Sequence, residues 1–104
     1  MAPAATDAQK PCRDLLDAFF AKHPSTRIHA ESHRVLQLLT RGTRALPGSV
    51  AGWAAGIVYA VSSRGAGVPG VLNSELEQAF GISMSTVYRR AAAVRREVRS
   101  AWPK

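Results

Sequence analysis

The chain has 104 residues, 46% of them hydrophobic and 7% aromatic, which is the size and composition of one domain with a small packed core rather than a disordered polymer. Fourteen Lys and Arg against seven Asp and Glu give a formal net charge of +7, which selects polyanions as partners, nucleic acid ahead of an anionic membrane surface. A single cysteine, Cys12, excludes an internal disulfide and a cysteine-rich zinc site, and makes a cytoplasmic setting the expectation.

In chain order, residues 1–9 lack the basic start and apolar run of a secretion signal and read as a disordered lead-in, with residues 10–104 as a single helical domain. Over residues 10–22, Cys12, Leu15, Leu16 and Phe19 share one helical face, with Phe20 at its edge and Asp14 and Asp17 opposite. Pro11 is tolerable only in a first turn, which puts the start of this helix at Lys10. His23 and Pro24 stop it, and Ser25 or Thr26 can cap a second helix with Ile28, Val35, Leu36 and Leu39 as its buried stripe and Gly42 at its end. Residues 43–48 form a short basic link, and Ser49 is the natural cap for a third helix.

Residues 50–61 are apolar almost all round, with Trp53, Ile57, Val58, Tyr59 and Val61, so this helix is the expected hub of the core. Its length falls well short of the ~20 residues that span a bilayer, and no membrane partner is expected. Gly52, Gly56 and Ala60 recur at four-residue spacing and form a small-residue ridge on which another helix can lie closely. Residues 62–71 hold three glycines and a proline and read as a connector; they lack the Gly-Lys-Ser/Thr ending of a phosphate-binding loop.

Residues 72–100 have the grammar of a helix-turn-helix. A run from Asn73 to Phe80 favours a short helix, Gly81 can take the positive φ that ends it, Ile82 can plug the corner, and Ser83 can cap a longer helix. With Ser74 as cap, Ser74 and Glu77 read as a capping box in which the glutamate folds back to its own helix start. A Glu77 turned towards the corner would instead open the angle between the two helices.

From residue 83 onward there are six basic residues and one acid, Glu97, so most of the excess charge belongs to the last helix. Val87, Ala91, Val94, Val98 and Ala101 gather on one side, with Met84 and Trp102 at its border; Ser85, Arg89 and Arg96 lie opposite, beside Ala92, Ala93 and Arg99, and are flanked by Arg90 and Arg95. Small residues between arginines let such a helix lie deep in a major groove. With residues 84–99 inserted, Met84, Ser85, Tyr88 and Arg89 are the expected base contacts. Ser83 and Thr86 at the helix start, and Arg90, Arg95, Arg96 and Arg99, are the expected phosphate contacts. Five arginines with one compensating acid repel one another at helical spacing, a cost that a polyanion relieves.

The segment NSELEQAFGISMSTVYRR resembles the helix-turn-helix of bacterial regulators and of the promoter-reading region of sigma factors, with Gly81-Ile82-Ser83 and Ser85-Thr86-Val87 carrying the likeness. From about Asp17 to Val98 the chain is similar to a small prokaryotic domain of uncharacterised function in which a segment like Trp53 to Ala60 precedes such a motif. The helix order is also similar to one cyclin-box repeat of transcription factor IIB. The resemblance implies an all-α fold of about five helices around a central apolar one, with a C-terminal helix-turn-helix, and a role in DNA binding or transcription.

His29 and His33 stand at the spacing of a metal pair, with His23 as a conceivable third ligand, but Glu31 points away from both and the zinc-protease pattern is missing. They read as solvated polar-face residues, so no metal or other cofactor is expected and a chelator should change nothing. No Ser-His-Asp or paired-carboxylate constellation is visible among so few acids, and no enzyme activity is expected. The sequence therefore predicts a transcription-associated reader of duplex DNA, the alternative being an adaptor that binds RNA or an acidic protein through the same arginines.

Overall fold

The computed structural model describes residues 4–41, 46–63 and 71–98. These contain five helices, α1 (Ala4–Lys22), α2 (Thr26–Leu39), α3 (Val50–Ser63), α4 (Asn73–Phe80) and α5 (Met84–Val98), and among the described residues there is no strand. A helix that is apolar on every side is stable only when other helices cover it. α3 meets this condition, because α1, α2, α4 and α5 all pack against it. The all-α arrangement around a central apolar helix is thus as the sequence predicts.

Three helix boundaries differ from expectation: α3 runs on to Ser63, two residues into the expected connector, of which 64–70 lie outside the described residues, and the other two are in α1 and α2. α1 begins at Ala4, not Lys10, so part of the expected lead-in is helical and Pro11 lies inside the helix. Proline cannot donate to the carbonyl four residues back, that of Asp7, but the preceding segment carries Ala4, Ala5 and Ala8, and alanine has the highest intrinsic helix propensity. α2 stops at Leu39, where Thr40 closes it by donating both its N–H (3.1 Å) and its hydroxyl (2.8 Å) to the Leu36 carbonyl. Gly42, the expected terminator, is outside the described residues, as are Arg99, Ala101 and Trp102. The Thr40 hydroxyl also accepts from Gln9 Nε2 at 2.7 Å, tying α1 to the end of α2.

At the start of α3 the Ser49 hydroxyl accepts the Gly52 N–H at 3.2 Å, the expected cap. Gly48 turns the chain with φ +83°, and the Trp53 indole N–H donates to the Pro47 carbonyl at 2.7 Å. The core is built on Leu16, Leu36, Leu39, Ile57 and Val58; Trp53, Val61, Leu76, Phe80, Val87 and Val94 are buried with them, and Ile82 is half-buried at the margin. Phe19 of α1 stacks on Phe80 of α4 at 5.3 Å. Cys12 is a core residue, 1% exposed, and burial pushes its thiol up to about 12.

The glycine ridge of α3 receives α5. A Cβ built on Gly56 would stand 2.6 Å from Arg90 Cβ and 3.0 Å from the Ala91 backbone nitrogen, so no side chain fits there unless α5 moves. At Gly52 the nearest atom would be Thr86 Cγ2 at 3.5 Å, an ordinary contact. Gly56→Ala should therefore cost about 1–3 kcal/mol through overpacking. Gly52→Ala should be neutral or stabilise by up to about 1 kcal/mol, because a helical glycine gains propensity without a clash. Urea titrations of both variants, read by circular dichroism, check the contrast; equal midpoints would mean that α5 does not rest on Gly56.

Candidate nucleic-acid interface

The α4 to α5 corner is organised by Glu77. α4 starts at Asn73, so Ser74 is already inside the helix and the expected Ser74–Glu77 capping box does not form. Glu75 takes the acidic half of that role, its Oε1 accepting the Leu72 N–H at 2.8 Å, while the Leu72 side chain has no acceptor to return the bond. Gly81 has φ +68°, the left-handed conformation expected of it, and the N–H groups of Gly81 and Ile82 both donate to the Glu77 carbonyl, at 2.7 and 3.2 Å. The Glu77 carboxylate faces the corner, where Oε2 accepts the Met84 N–H, the first of α5, at 2.7 Å.

Ser83 caps α5 as predicted, its hydroxyl accepting the Thr86 N–H at 3.4 Å and lying 3.0 Å from Ser85 Oγ and 3.3 Å from Thr86 Oγ1. The positive pole of α5 thus already holds an anion, the chain's own Glu77. A phosphate expected at Ser83 and Thr86 would meet like charge there, and Thr86 itself is half-buried with its methyl towards Gly52. The sequence pattern of hydroxyls is real, but it serves the cap.

The two faces of α5 divide almost as the helical periodicity predicts. Val87, Ala91, Val94 and Val98 are buried, whereas Ser85, Arg89, Ala92 and Arg96 are exposed in one outward stripe. Glu97 is also exposed but lies about 100° round the helix from Arg96. Ala93 and Met84 are half-buried against the core, which turns the Met84 side chain away from the stripe. Tyr88, 46% exposed, leans edge-on against Tyr59 at 5.4 Å, and its hydroxyl accepts from Asn73 Nδ2 at 3.4 Å, so it links α5 to α3 and α4 while bordering the stripe.

Arg90 and Arg95 are not free surface cations. The Arg90 guanidinium carbon sits 4.7 Å from the centre of the Trp53 ring, and a Cβ at Gly48 would collide with its Nη2. Its Nε is shielded from solvent without a hydrogen-bond partner, and so is Nη2 of the half-buried Arg95. The stem of Arg90 covers the glycine ridge, a packing role that its neighbour Arg89, about 100° away around the helix, does not have.

The histidines are not simply solvated. Asp17 of α1, which the helical periodicity assigns to a polar outer face, stands between His29 and His33 of α2, and each Nε2–H donates to Asp17 Oδ1 at 2.7 Å. His29 also stacks on Phe20 at 4.7 Å and meets His33 edge-on at 4.9 Å. His23, the conceivable third member, instead lies against Phe19 at 4.8 Å. The His29 hydrogen bond is the main cause, opposed by a little burial and helped by His33, that holds the Asp17 carboxyl below its usual range.

No known protein family matches the chain, and no curated protein or solved structure matches it either.

The corner and the histidine pair can each be tested by substitution. Glu77→Ala should leave the Met84 N–H without its acceptor and cost about 1–2 kcal/mol, with Glu77→Gln recovering most of it; thermal melts of the two variants distinguish a cap from a bystander. Because the folded pKa of Asp17 is depressed, its contribution to stability is present above the unfolded carboxylate value of about 3.9 and is lost as pH falls through the lower folded value. The melting-temperature difference between wild type and Asp17→Asn should accordingly shrink in strong acid; a difference that does not change with pH would show that the carboxylate charge contributes nothing.

Proposed function

We propose that the protein is a non-enzymatic, transcription-associated DNA-binding domain in which α4, the Gly81 corner and α5 act as a helix-turn-helix and α5 enters the major groove. The observation that carries the reading is the outward stripe of α5, where Ser85, Arg89, Ala92 and Arg96 are all exposed and no acid interrupts them. Arg89 and Arg96 are about 10 Å apart along the helix axis, so one can lie in a groove about 12 Å wide while the other reaches its backbone wall. Arg89, less than two turns from the start of α5, is the base reader, with Ser85 beside it and Tyr88 on the flank. Arg96 takes the phosphate role, with the half-buried Arg95 on its flank, and Arg90, held over the Trp53 ring and the glycine ridge, supports the helix rather than the ligand. Duplex DNA is the partner, and RNA or an acidic protein are the outcomes that would replace it.

Fluorescence-anisotropy isotherms on a selected and a random duplex, at several salt concentrations, test this. Arg89→Ala should lose about 1–3 kcal/mol on the selected duplex and little on the random one, because a lost base contact matters only where its base is present. Arg96→Ala should weaken both alike and lower the slope of log affinity against log salt by about one. Arg90→Ala should lower the melting temperature and leave the salt slope unchanged. If Arg89→Ala and Arg96→Ala weaken both duplexes by one common factor, α5 reads no bases; if structured RNA or an acidic protein outcompetes both duplexes, the chain is an adaptor.

A further inference from the structure

We propose that Asp17, His29 and His33 form a binding site for a divalent transition-metal ion of the zinc class, bridging α1 and α2 and independent of the arginine stripe. His29 and His33 are one turn apart on α2, so their rings leave the same face, and α1 supplies the carboxylate from the opposing helix. The three donor atoms all lie within 4.8 Å of one another, and both imidazole Nε2 atoms aim at the same carboxylate oxygen. An ion with bonds of about 2.0–2.1 Å in tetrahedral geometry needs its donors about 3.4 Å apart, so the two 2.7 Å contacts must open by about 0.7 Å, while the two imidazole nitrogens, within 4.8 Å of each other, settle to the same spacing.

The surroundings suit an ion with exchangeable positions. The two rings are half-buried and partly fixed, His29 by its stack on Phe20 and both by their mutual edge contact, so little freedom remains to be lost on binding. An open cleft of about 460 Å³, lined by Thr26, His29, Ala30 and His33, lies over the pair and leaves room for water or another ligand to complete the coordination. Two imidazoles and one carboxylate are a nitrogen-rich set that favours zinc, cobalt, nickel or copper over magnesium and calcium. On binding, each ring coordinates through Nε2 as the neutral Nδ1–H tautomer, the Nε2 proton passing by way of solvent to Nδ1 of a neutral ring or being released to solvent by an imidazolium, and the ion takes the place of the two hydrogen bonds to Asp17. This reverses the sequence-based expectation that metal leaves the fold unchanged, and the reason is Asp17, which is 12 residues from His29 in sequence and adjacent to it only in the fold.

The test uses the full chain with cobalt(II) and zinc(II) chloride as probes. Cobalt should produce visible ligand-field absorption at one equivalent, and zinc at a hundredfold excess over its dissociation constant should raise the melting temperature by about 10 °C, since it stabilises only the folded state. Magnesium should do neither. His33→Gln and Asp17→Asn should each weaken zinc binding at least tenfold and abolish the cobalt spectrum, whereas His23→Gln, which touches Phe19 instead, should retain both. Wild-type protein that shows no cobalt absorption and no zinc-dependent melting shift overturns the site, even if a variant folds poorly. So does a zinc shift that persists undiminished in a folded His29→Gln/His33→Gln double variant. Duplex affinity measured in parallel should be the same with and without zinc, which keeps this result separate from the fate of the DNA-binding reading.

Discussion

The absence of a side chain at Gly56 is the constraint on which the outward face of α5 depends. Because a Cβ there would stand 2.6 Å from Arg90 Cβ, the α5 backbone comes to rest against α3, and the rotation of α5 about its own axis is fixed by that seat. Rotation in turn decides which arginines are available. Arg90 is drawn over the ridge and the Trp53 ring, Arg95 is half-buried, and Arg89 and Arg96 are left pointing outward. A bulkier ridge would tilt or lift the helix, and the same arginines would then present a different pattern to a partner.

Electrostatics at the corner act in the same direction. A helix start is the ordinary place for a phosphate, but α5 begins under Glu77, whose carbonyl closes α4 and whose carboxylate opens α5. One residue therefore serves two helix ends, and a second anion placed at the first turn of α5 would meet its carboxylate. The outward positive charge lies further along α5, with Arg89 nearer its middle and Arg96 in its last turn, so the proposed docking would use the helix side rather than its tip.

What was legible in the sequence was whatever depends on neighbours along the chain. The periodicity of Val87, Ala91, Val94 and Val98 located the buried face of α5, Gly81 marked the left-handed end of α4, and the continuous apolar run from Val50 identified the central helix. Three features were not legible in that way. Glu77 sits within reach of both its own helix start and the next one, and only the position of Asn73 as first helical residue decides between them. Arg89 and Arg90 are adjacent and chemically identical, so their opposite fates rest on the ridge of another helix, for which the four-residue spacing of Gly52 and Gly56 was the available signal. The meeting of Asp17 with His29 and His33 has no local signature at all, because it arises from how α1 packs on α2.

The burial of Cys12 makes α1 a natural indicator of opening. Thiols react through the thiolate, and with the group pushed up to about 12 and only 1% exposed, an alkylating reagent at neutral pH meets almost no reactive sulfur in the closed bundle. Labelling must wait until α1 leaves its neighbours, and since Cys12 is the only cysteine, each modified molecule records one such event. If α1 detaches while α3 and α5 stay together, alkylation will outpace unfolding measured by the loss of Trp53 packing; if the bundle opens as a unit, the two rates will coincide.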